Sequence, residues 1–290
     1  VPTARLGQAL GLVTATATLG TSLGPTIGGF LIDAGSWRLI FLVNVPIGGL
    51  AFALVTFSLR EVGGVGRSAS GWAVYRAILG NLAFLSGLAG RVACMAANGA
   101  FLFLTPLVLE AALGFSTARS GLLLAASPIL IGLTSPLFGS LADRYGKPPF
   151  LFSGQILMLV GVLILASYSA SMSELGFLLR VVLWAIGMSL FNAPNSSQMM
   201  LAVPEKLVHT ASAFISLAIM LGQLIGVAVG GALFHLLAFG SLREHAGMSV
   251  IGLPPSTLAE AVGETLAWFA LPIALALLLN FLTLRKRRTE

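Results

Sequence analysis

The sequence predicts an all-α polytopic membrane protein. Of its 290 residues, 57% are hydrophobic and only 9% are charged, whereas charged residues make up about 25% of an ordinary soluble domain. The mean hydropathy is +0.98. Apolar stretches of about 20 residues, the length that crosses a bilayer as a helix, recur along the whole chain. About eight of these stretches are bounded by charges, turn residues or polar clusters.

The eight predicted spans cover residues 7–32, 38–59, 80–109, 117–141, 150–168, 175–200, 210–238 and 264–284. Most joins are short, but the segments from Arg60 to Arg76 and from Gly240 to Glu264 are longer. Neither has enough apolar length to contain a further span. The single cysteine, Cys94, lies inside a span, which excludes an intrachain disulfide and any thiol-based metal cluster.

The positions of lysine and arginine predict the orientation of the chain. If the first span starts in the cytoplasm, only Arg38, Arg119 and Arg243 fall outside, and Arg91 and Arg180 fall within spans. Every other basic residue is then cytoplasmic, as the positive-inside rule requires. The formal net charge of +6 therefore reflects topology, and no nucleic-acid partner is expected. We expect a multi-pass protein of the cell (inner or plasma) membrane with a basic cytoplasmic C-terminus.

A glycine pattern occurs twice in the chain. Residues 20–29, "GTSLGPTIGG", and residues 222–231, "GQLIGVAVGG", both read G-x-x-x-G-x-x-x-G-G, in the first and seventh spans. Glycines four residues apart share a helix face and let two backbones approach closely in a bilayer. The repeat predicts a unit of six helices, formed by the third to eighth spans, and four missing helices before Val1. Coincidence in a chain with 34 glycines is the alternative.

The first copy, which contains Gly20, Gly24, Pro25, Gly28 and Gly29, resembles the antiporter motif of drug:proton antiporters in the major facilitator superfamily. The next stretch, "FLIDAGSWRLIFLVNVPIGG", resembles the passage from the fifth to the sixth helix of the multidrug-efflux branch. The region from Trp184 to Gly231 resembles its tenth and eleventh helices. The resemblance implies a major facilitator fold, with about eight transmembrane helices present of an expected twelve or more.

The resemblance also implies a domain organisation. Residues 1–59 would form the last two helices of the N-terminal bundle, and residues 60–79 a cytoplasmic linker. Residues 80–290 would form the C-terminal six-helix bundle with its basic tail. Members of this branch typically have fourteen helices, with an extra pair between the bundles. Because the linker has no room for that pair, a twelve-helix arrangement or a deletion is implied.

A second match is the stretch "GSLADRYGKP", between the fourth and fifth spans. Its Gly139, Asp143, Arg144, Gly146 and Lys147 resemble the superfamily's loop signature between the second and third helices of a bundle. The charges could bridge neighbouring helices at the cytoplasmic face, and Gly146 permits a sharp turn. The resemblance implies a cytoplasmic gating loop, and an ordinary positively charged loop is the alternative.

Polar side chains inside the spans are candidates for a substrate path. These candidates are Arg91, Asn98, Asn192, Asn195 and Gln223. Arg91 and Asn98 share one stripe of the third span. Arg91 could attract an anionic group of a substrate or a carboxylate of the missing helices, or it could snorkel or hold a carbonyl of a neighbouring helix. The two other asparagines flank a proline and could line the cavity or satisfy the kinked backbone, and Gln223 could be structural.

The spans contain no deep carboxylate, because all ten acidic residues fall at helix ends, in loops or in the tail. Proton coupling needs a group that titrates in the cavity, so the coupling acid would belong to the missing helices. The sequence also has no phosphate-binding loop, no metal-ligand spacing and no catalytic triad. We therefore expect no enzyme activity, no cofactor and no metal.

The resemblance implies a secondary active transporter that exports drugs or small amphipathic compounds by alternating access, coupled to protons. Its expected partners are the small-molecule substrate, protons, the lipid bilayer and the missing N-terminal helices of the same protein. Two alternatives remain open. One is a metabolite or sugar transporter of the same superfamily, and the other is a truncated membrane protein that does not transport.

Overall fold

The computed structural model describes residues 38–58, 72–169, 171–240 and 252–289, together with residues 20, 24, 27, 28 and 30–32. The regular elements in these ranges are all helical. They are α1 (Arg38–Leu42), α2 (Asn44–Ser58), α3 (Trp72–Leu79), α4 (Leu82–Pro106), α5 (Thr117–Tyr145), α6 (Lys147–Leu165), α7 (Glu174–Leu201), α8 (Val208–Phe239), α9 (Pro255–Trp268) and α10 (Ala270–Thr289). A π-helical segment, Leu107–Ala112, continues α4, and a 3-10 turn, Glu205–Leu207, precedes α8.

The described part of the chain contains six helical stretches that are long and apolar enough to cross a membrane. These are Leu82–Ala112, Thr117–Tyr145, Lys147–Leu165, Glu174–Leu201, Glu205–Phe239 and Pro255–Arg285. They correspond to the third to eighth predicted spans, which confirms the all-α polytopic class. The second predicted span contains the shorter apolar helix Arg38–Leu54, and the first lies largely outside the described residues.

The last span begins at Pro255, earlier than the predicted start at residue 264. The prediction treated Glu260 and Glu264 as loop residues. In the structure both are exposed on one face of α9, because residues four apart share a helix face. The opposite face, with Leu258 and Val262, is buried against the bundle. The two acids thus mark an amphipathic helix, and the loop after Gly240 is shorter than predicted.

Helices α4 and α7 occupy the centre of the six-helix unit. Helix α4 packs against α8, α10 and α7, while α7 packs against α6, α5 and α4. Buried aromatic side chains from both helices, among them Phe101 and Trp184, lie in one continuous apolar core. The unit is therefore held by two central helices, each of which packs most extensively against three neighbours.

The contact between α4 and α8 is made by the second copy of the glycine pattern. A Cβ built on Gly222 would lie 2.6 Å from the Met95 Cβ, and one on Gly226 would lie 2.9 Å from the Ala96 Cα. A Cβ on Gly230 would lie 3.1 Å from the Ala100 Cβ. Real Cβ atoms do not fit at the first two distances, so the two backbones touch along three turns. The close approach expected of such a stripe is confirmed for this copy.

Glycines also bring α6 and α7 together. A Cβ on Gly154 would lie 2.6 Å from the Phe191 backbone nitrogen, and one on Gly187 would lie 2.8 Å from that of Met158. In a bilayer, where water does not drive helices together, such close contacts provide the dispersion energy of association. Both of the tightest helix pairs in the described chain therefore depend on glycine.

The end of the predicted linker is an ordered helix. Helix α3 buries Val74 and Ile78 in a small apolar cluster with Phe84 of α4 and Ile215 of α8. Asn81 then caps α4, since its side chain accepts hydrogen bonds from two backbone amides of the first turn. Its Nδ2 also donates to the Ala202 carbonyl at 2.6 Å, which ties the start of α4 to the end of α7.

Candidate functional site

Arg91 joins the two central helices in the half of the bundle that the sequence places toward the cytoplasm. It is only 3% exposed on α4, and its guanidinium donates to both the side chain and the carbonyl of Asn192 on α7. A third bond, of 2.6 Å, goes to the Ser196 hydroxyl, and the guanidinium carbon lies 5.6 Å from the centre of the Phe191 ring. Of the roles left open by the sequence, the structure shows the bond to a neighbouring helix carbonyl.

Asn195 makes a second bond between the same helices. It is buried, and its Nδ2 donates to the Gly87 carbonyl at 3.1 Å. A Cβ at Gly87 would lie 3.1 Å from the Asn195 Oδ1, so the glycine leaves room for the amide. Pro194, between the two asparagines, removes the amide that would bond to the Leu190 carbonyl. Both asparagines make their bonds to α4, and neither is bonded to that carbonyl.

A buried amide pair lies on another side of α4, where α6 and α10 meet it. The Asn280 Nδ2 of α10 donates to the Gln155 Oε1 of α6 at 3.1 Å, and both side chains are buried. A Cβ at Gly90 would lie 3.2 Å from a nitrogen of each amide. One helical turn closer to the start of α4 and the end of α10, the Thr283 hydroxyl donates to the Ser86 hydroxyl at 3.2 Å. The sequence analysis did not select these residues, although a polar residue inside an apolar span is a signal that could have found them.

We expect Asn280→Leu to destabilise the protein more than the double variant Gln155→Leu/Asn280→Leu. Gln155 Nε2 and Asn280 Oδ1 already have no partner in the described structure, so the single variant leaves a whole buried amide unpaired. The cost of the single variant should be about 0.6 to 1.7 kcal/mol, the range of hydrogen bonds between membrane helices. Thermal unfolding in detergent measures the stability of the single and the double variants. A double variant that is less stable than either single variant would contradict this prediction.

Asn98 and Gln223 lie at the crossing of α4 and α8 and have no hydrogen-bond partner in the described part of the chain. Both are half-buried. A Cβ at Gly99, next to Asn98, would lie 2.9 Å from the Gln223 Cα, so the two residues sit at the same depth of the bundle. Unlike Arg91, Asn192 and Asn195, these two amides make no hydrogen bond between helices among the described residues. The structure therefore divides the five candidates into three that join helices and two that do not.

The loop between α5 and α6 turns at Gly146, which has a φ of 97° and occupies the left-handed region that favours glycine. The Lys147 Nζ lies 3.8 Å from the Asp143 Oδ1 and also donates to the Ser197 hydroxyl of α7. The Asp143 side chain is 72% exposed, and Arg144 lies over the ring of Tyr145. Gly139 lies one turn earlier, where a Cβ would be 3.5 Å from the Ala193 Cβ. Lys147 thus connects the loop to α7, close to the Arg91 bonds.

A search against protein-family models matches this chain to the Major Facilitator Superfamily over residues 1–116 and 87–289. The two matched stretches together cover nearly the whole sequence. This chain belongs to the Major Facilitator Superfamily. Its six described spans and the multi-pass membrane architecture are those expected of a member.

Two curated relatives carry drug-resistance names. The chain is 24% identical over 292 residues to "Multidrug resistance protein Stp" of Mycobacterium tuberculosis, which covers 82% of this chain and 54% of the relative. It is 26% identical over 297 residues to "Putative multidrug resistance protein MdtD" of Yersinia pestis, which covers 82% of this chain and 63% of the relative. The chain therefore spans between half and two thirds of the length of these superfamily members.

The stretch predicted to be an antiporter motif, Gly20 to Gly29, is described only in part. Gly20, Gly24 and Gly28 are helical, while Pro25 and Gly29 lie outside the described residues. A Cβ built on any of these three glycines meets no described atom within 4 Å. The surface against which the motif packs therefore stays a prediction.

The described residues contain no group of three or more histidine, cysteine or acidic side chains that could hold a metal. Arg91 has no carboxylate partner among them, since the ion pairs join Arg119 to Glu174 and Lys147 to Asp143. The first of these pairs links the starts of α5 and α7, at the opposite end of the bundle from the Gly146 loop. The polar interior of the bundle is thus neutral apart from Arg91.

Proposed function

We propose that the protein to which this chain belongs is a secondary active exporter of small amphipathic or cationic compounds. Export would be driven by proton influx through alternating access of two bundles in the cell membrane, with the C-terminus in the cytoplasm. The observation that carries the proposal is the antiporter stretch from Gly20 to Gly29, in a chain whose relatives are named multidrug resistance proteins.

The second glycine copy supports a physical role for the first. In α8 the pattern brings the backbone against that of α4 over three turns. By the internal repeat, the first copy would pack in the same way against the first helix of the N-terminal bundle. Its remaining small-residue surface would then face the small residues of α5, such as Gly121, Ala125 and Gly139, across the boundary between the bundles. We therefore assign Gly20 to Gly29 to a closely packed surface that opens and closes during transport.

Proton coupling is assigned outside the described spans. No carboxylate of the described spans is buried, and the buried charge that they contain is the cation Arg91. A coupling group must change protonation in the cavity within the physiological pH range, which an acid shifted by its surroundings can do and a guanidinium cannot. We accordingly expect the coupling acid in helices of the N-terminal bundle.

The proposed function is tested with cells that express the complete gene. Those cells should lose a preloaded fluorescent cationic drug faster than control cells, and a protonophore should abolish the difference. Counterflow with labelled sugars and amino acids in membrane vesicles provides the comparison. Drug loss equal to that of control cells, or counterflow of a sugar or amino acid but no drug, would overturn the proposal.

Gly24→Leu is expected to block transport while the protein still inserts into the membrane. Leucine at this position would separate the two backbones that the motif brings together, whereas insertion depends on overall hydropathy. Drug export and the amount of protein in the membrane fraction measure the two effects. Ile27→Leu, which changes an exposed residue of the same stretch, serves as the control. If Gly24→Leu exports the drug as fast as the unmodified protein, the glycines of this stretch have only an ordinary role in helix packing.

Asp143→Asn is expected to slow transport several-fold with little effect on drug affinity or on stability. The side chain is 72% exposed, and an exposed ion pair contributes at most about 1 kcal/mol. Its effect should therefore appear in the rate of switching between states, through Lys147 and its contact with Ser197 on α7. Export rates and drug binding measured on the same preparation separate the two. Weaker binding with an unchanged maximal rate would instead indicate a substrate site.

A further inference from the structure

An apolar groove runs along the outer surface of the six-helix unit. Its cavity of about 650 Å³ has a floor formed by α4, one wall formed by α8 and the other formed by α9 and α10. Residues that line it include Leu85, Ala89, Val92, Val229, Leu275 and Leu279. Val229 is 44% exposed and Leu275 is 54% exposed, so the walls face outward. On a membrane-spanning surface, such a groove is open to the acyl chains of the bilayer.

The size and lining of the groove suit a single apolar chain. Its floor extends from Leu85 to Ala96, about 16 Å along the axis of α4. The cavity falls within the range of about 300 to 1,000 Å³ that is common for small-molecule sites. An acyl chain that lies along this floor would contact apolar side chains throughout.

A basic segment lies at one end of the groove. Thr283 of α10 donates to Ser86 of α4, which places Arg285 at the depth of Leu85, the last floor residue at that end. Arg285 is exposed, and helix α10 continues through Lys286, Arg287 and Arg288. Four consecutive basic residues thus follow the apolar groove in the direction of the predicted cytoplasm.

We propose that the groove binds an anionic phospholipid. One acyl chain lies along the floor between Leu85 and Ala96, and the phosphate binds the segment Arg285 to Arg288. Basic clusters that directly follow a transmembrane helix attract anionic lipids through their positive charge. The proposal needs only the membrane location of the chain and is independent of the compound transported. It gives a role to the basic tail beyond the orientation of the helices.

The test compares two lipids with identical acyl chains, dioleoyl phosphatidylglycerol and dioleoyl phosphatidylcholine. The full-length protein is purified in detergent, incubated with each lipid, and examined for retained lipid by native mass spectrometry and for thermal unfolding. Two variants separate the contributions. In Arg285→Gln/Lys286→Gln/Arg287→Gln/Arg288→Gln the charges are removed, and in Ala89→Phe the floor of the groove is filled.

Each variant has a matched control. Arg285→Lys/Arg287→Lys/Arg288→Lys keeps the charge of the tail while changing its residues. Val160→Phe adds a large ring to an exposed position of α6, outside the groove. Both controls should behave as the unmodified protein, which would show that charge and groove volume are the properties that matter.

We expect the unmodified protein to retain phosphatidylglycerol in preference to phosphatidylcholine. Removal of the four charges should weaken phosphatidylglycerol binding tenfold or more and abolish the preference, while Ala89→Phe should reduce retention of both lipids. Equal retention of the two lipids by the unmodified protein would overturn the proposal, as would unchanged retention in either variant. A large loss of thermal stability of Ala89→Phe in lipid-free detergent would indicate that another part of the polypeptide fills the groove, which would also overturn it.

Discussion

Gly226→Leu is expected to separate α4 from α8 and to abolish transport by the full-length protein. The position has the tightest contact of the second glycine copy, because an added Cβ would overlap the Ala96 carbonyl oxygen and lie 2.9 Å from the Ala96 Cα. The atoms in the way belong to the backbone of α4 and cannot be moved by a rotamer change. Forcing a side chain into a well-packed interior costs about 1 to 3 kcal/mol. Because the neighbouring backbone is rigid, we expect the cost of this variant to lie near the upper end of that range.

The measurement is thermal unfolding in detergent together with drug export by cells. Ala228→Leu is the matched control, because it places the same leucine side chain at an exposed position two residues away on the same helix. Gly226→Ala should lie between the two, since even one methyl group meets the backbone of α4. If Gly226→Leu unfolds at the temperature of the unmodified protein, the two backbones do not need to touch, and the proposed role of the first copy loses its support as well.

Periodicity and hydropathy predicted most of the helical architecture. In a bilayer a helix must make all of its backbone hydrogen bonds within itself, so a spanning helix is recognisable by its length and composition. The six spans from Leu82 to Arg285 are those predicted, with ends that differ by a few residues in most cases. The main error was the start of the last span. Glu260 and Glu264 appeared to mark a loop, whereas their spacing of four residues places them together on the exposed face of α9.

The partners of polar residues could not be predicted in the same way. The sequence placed Arg91 and Asn192 in different spans, but nothing in either stretch indicates that one helix faces the other at that depth. The same limit applies to Gln155 and Asn280, which are 125 residues apart and form one amide pair. Glycine spacing identified a packing stripe on α8, yet only the three-dimensional arrangement shows that α4 is the helix packed against it. Pairing depends on contacts between distant segments, which a pattern within one segment does not encode.

Arg91→Met is expected to destabilise the protein and slow transport without changing which compounds are exported. All the hydrogen bonds of its guanidinium go to Asn192 and Ser196 of α7, and the side chain is 3% exposed. A bond to a charged group contributes about 1.5 to 3 kcal/mol, and the variant leaves the amide and the hydroxyl without their donor. We therefore expect a loss of about 2 kcal/mol. The maximal export rate should fall, because α4 and α7 are no longer held together.

A double-mutant cycle with Asn192→Leu tests whether Arg91 bonds to α7 or contacts the substrate. Asn192→Leu leaves the buried cation with fewer acceptors, which costs more than leaving neutral groups unpaired. The variant Arg91→Met/Asn192→Leu removes the charge and the amide together. Its loss of stability should therefore be smaller than the sum of the two single losses by about 1 kcal/mol or more. Additive losses would mean that the two residues do not interact.

Arg91→Lys decides whether charge alone is enough. Lysine keeps the cation but is a point charge on a flexible stem and cannot reproduce the planar arrangement that reaches Asn192 and Ser196 at once. If the role of Arg91 is to hold α7, Arg91→Lys should lose most of the stability that Arg91→Met loses, and drug affinity should stay unchanged. If Arg91 attracts an anionic group of the transported compound, Arg91→Lys should retain export and Arg91→Met should lose affinity for anionic compounds selectively. The buried hydrogen bonds favour the first result, because both terminal nitrogens of the guanidinium already donate to α7 and only Nε lacks a hydrogen-bond partner among the described residues.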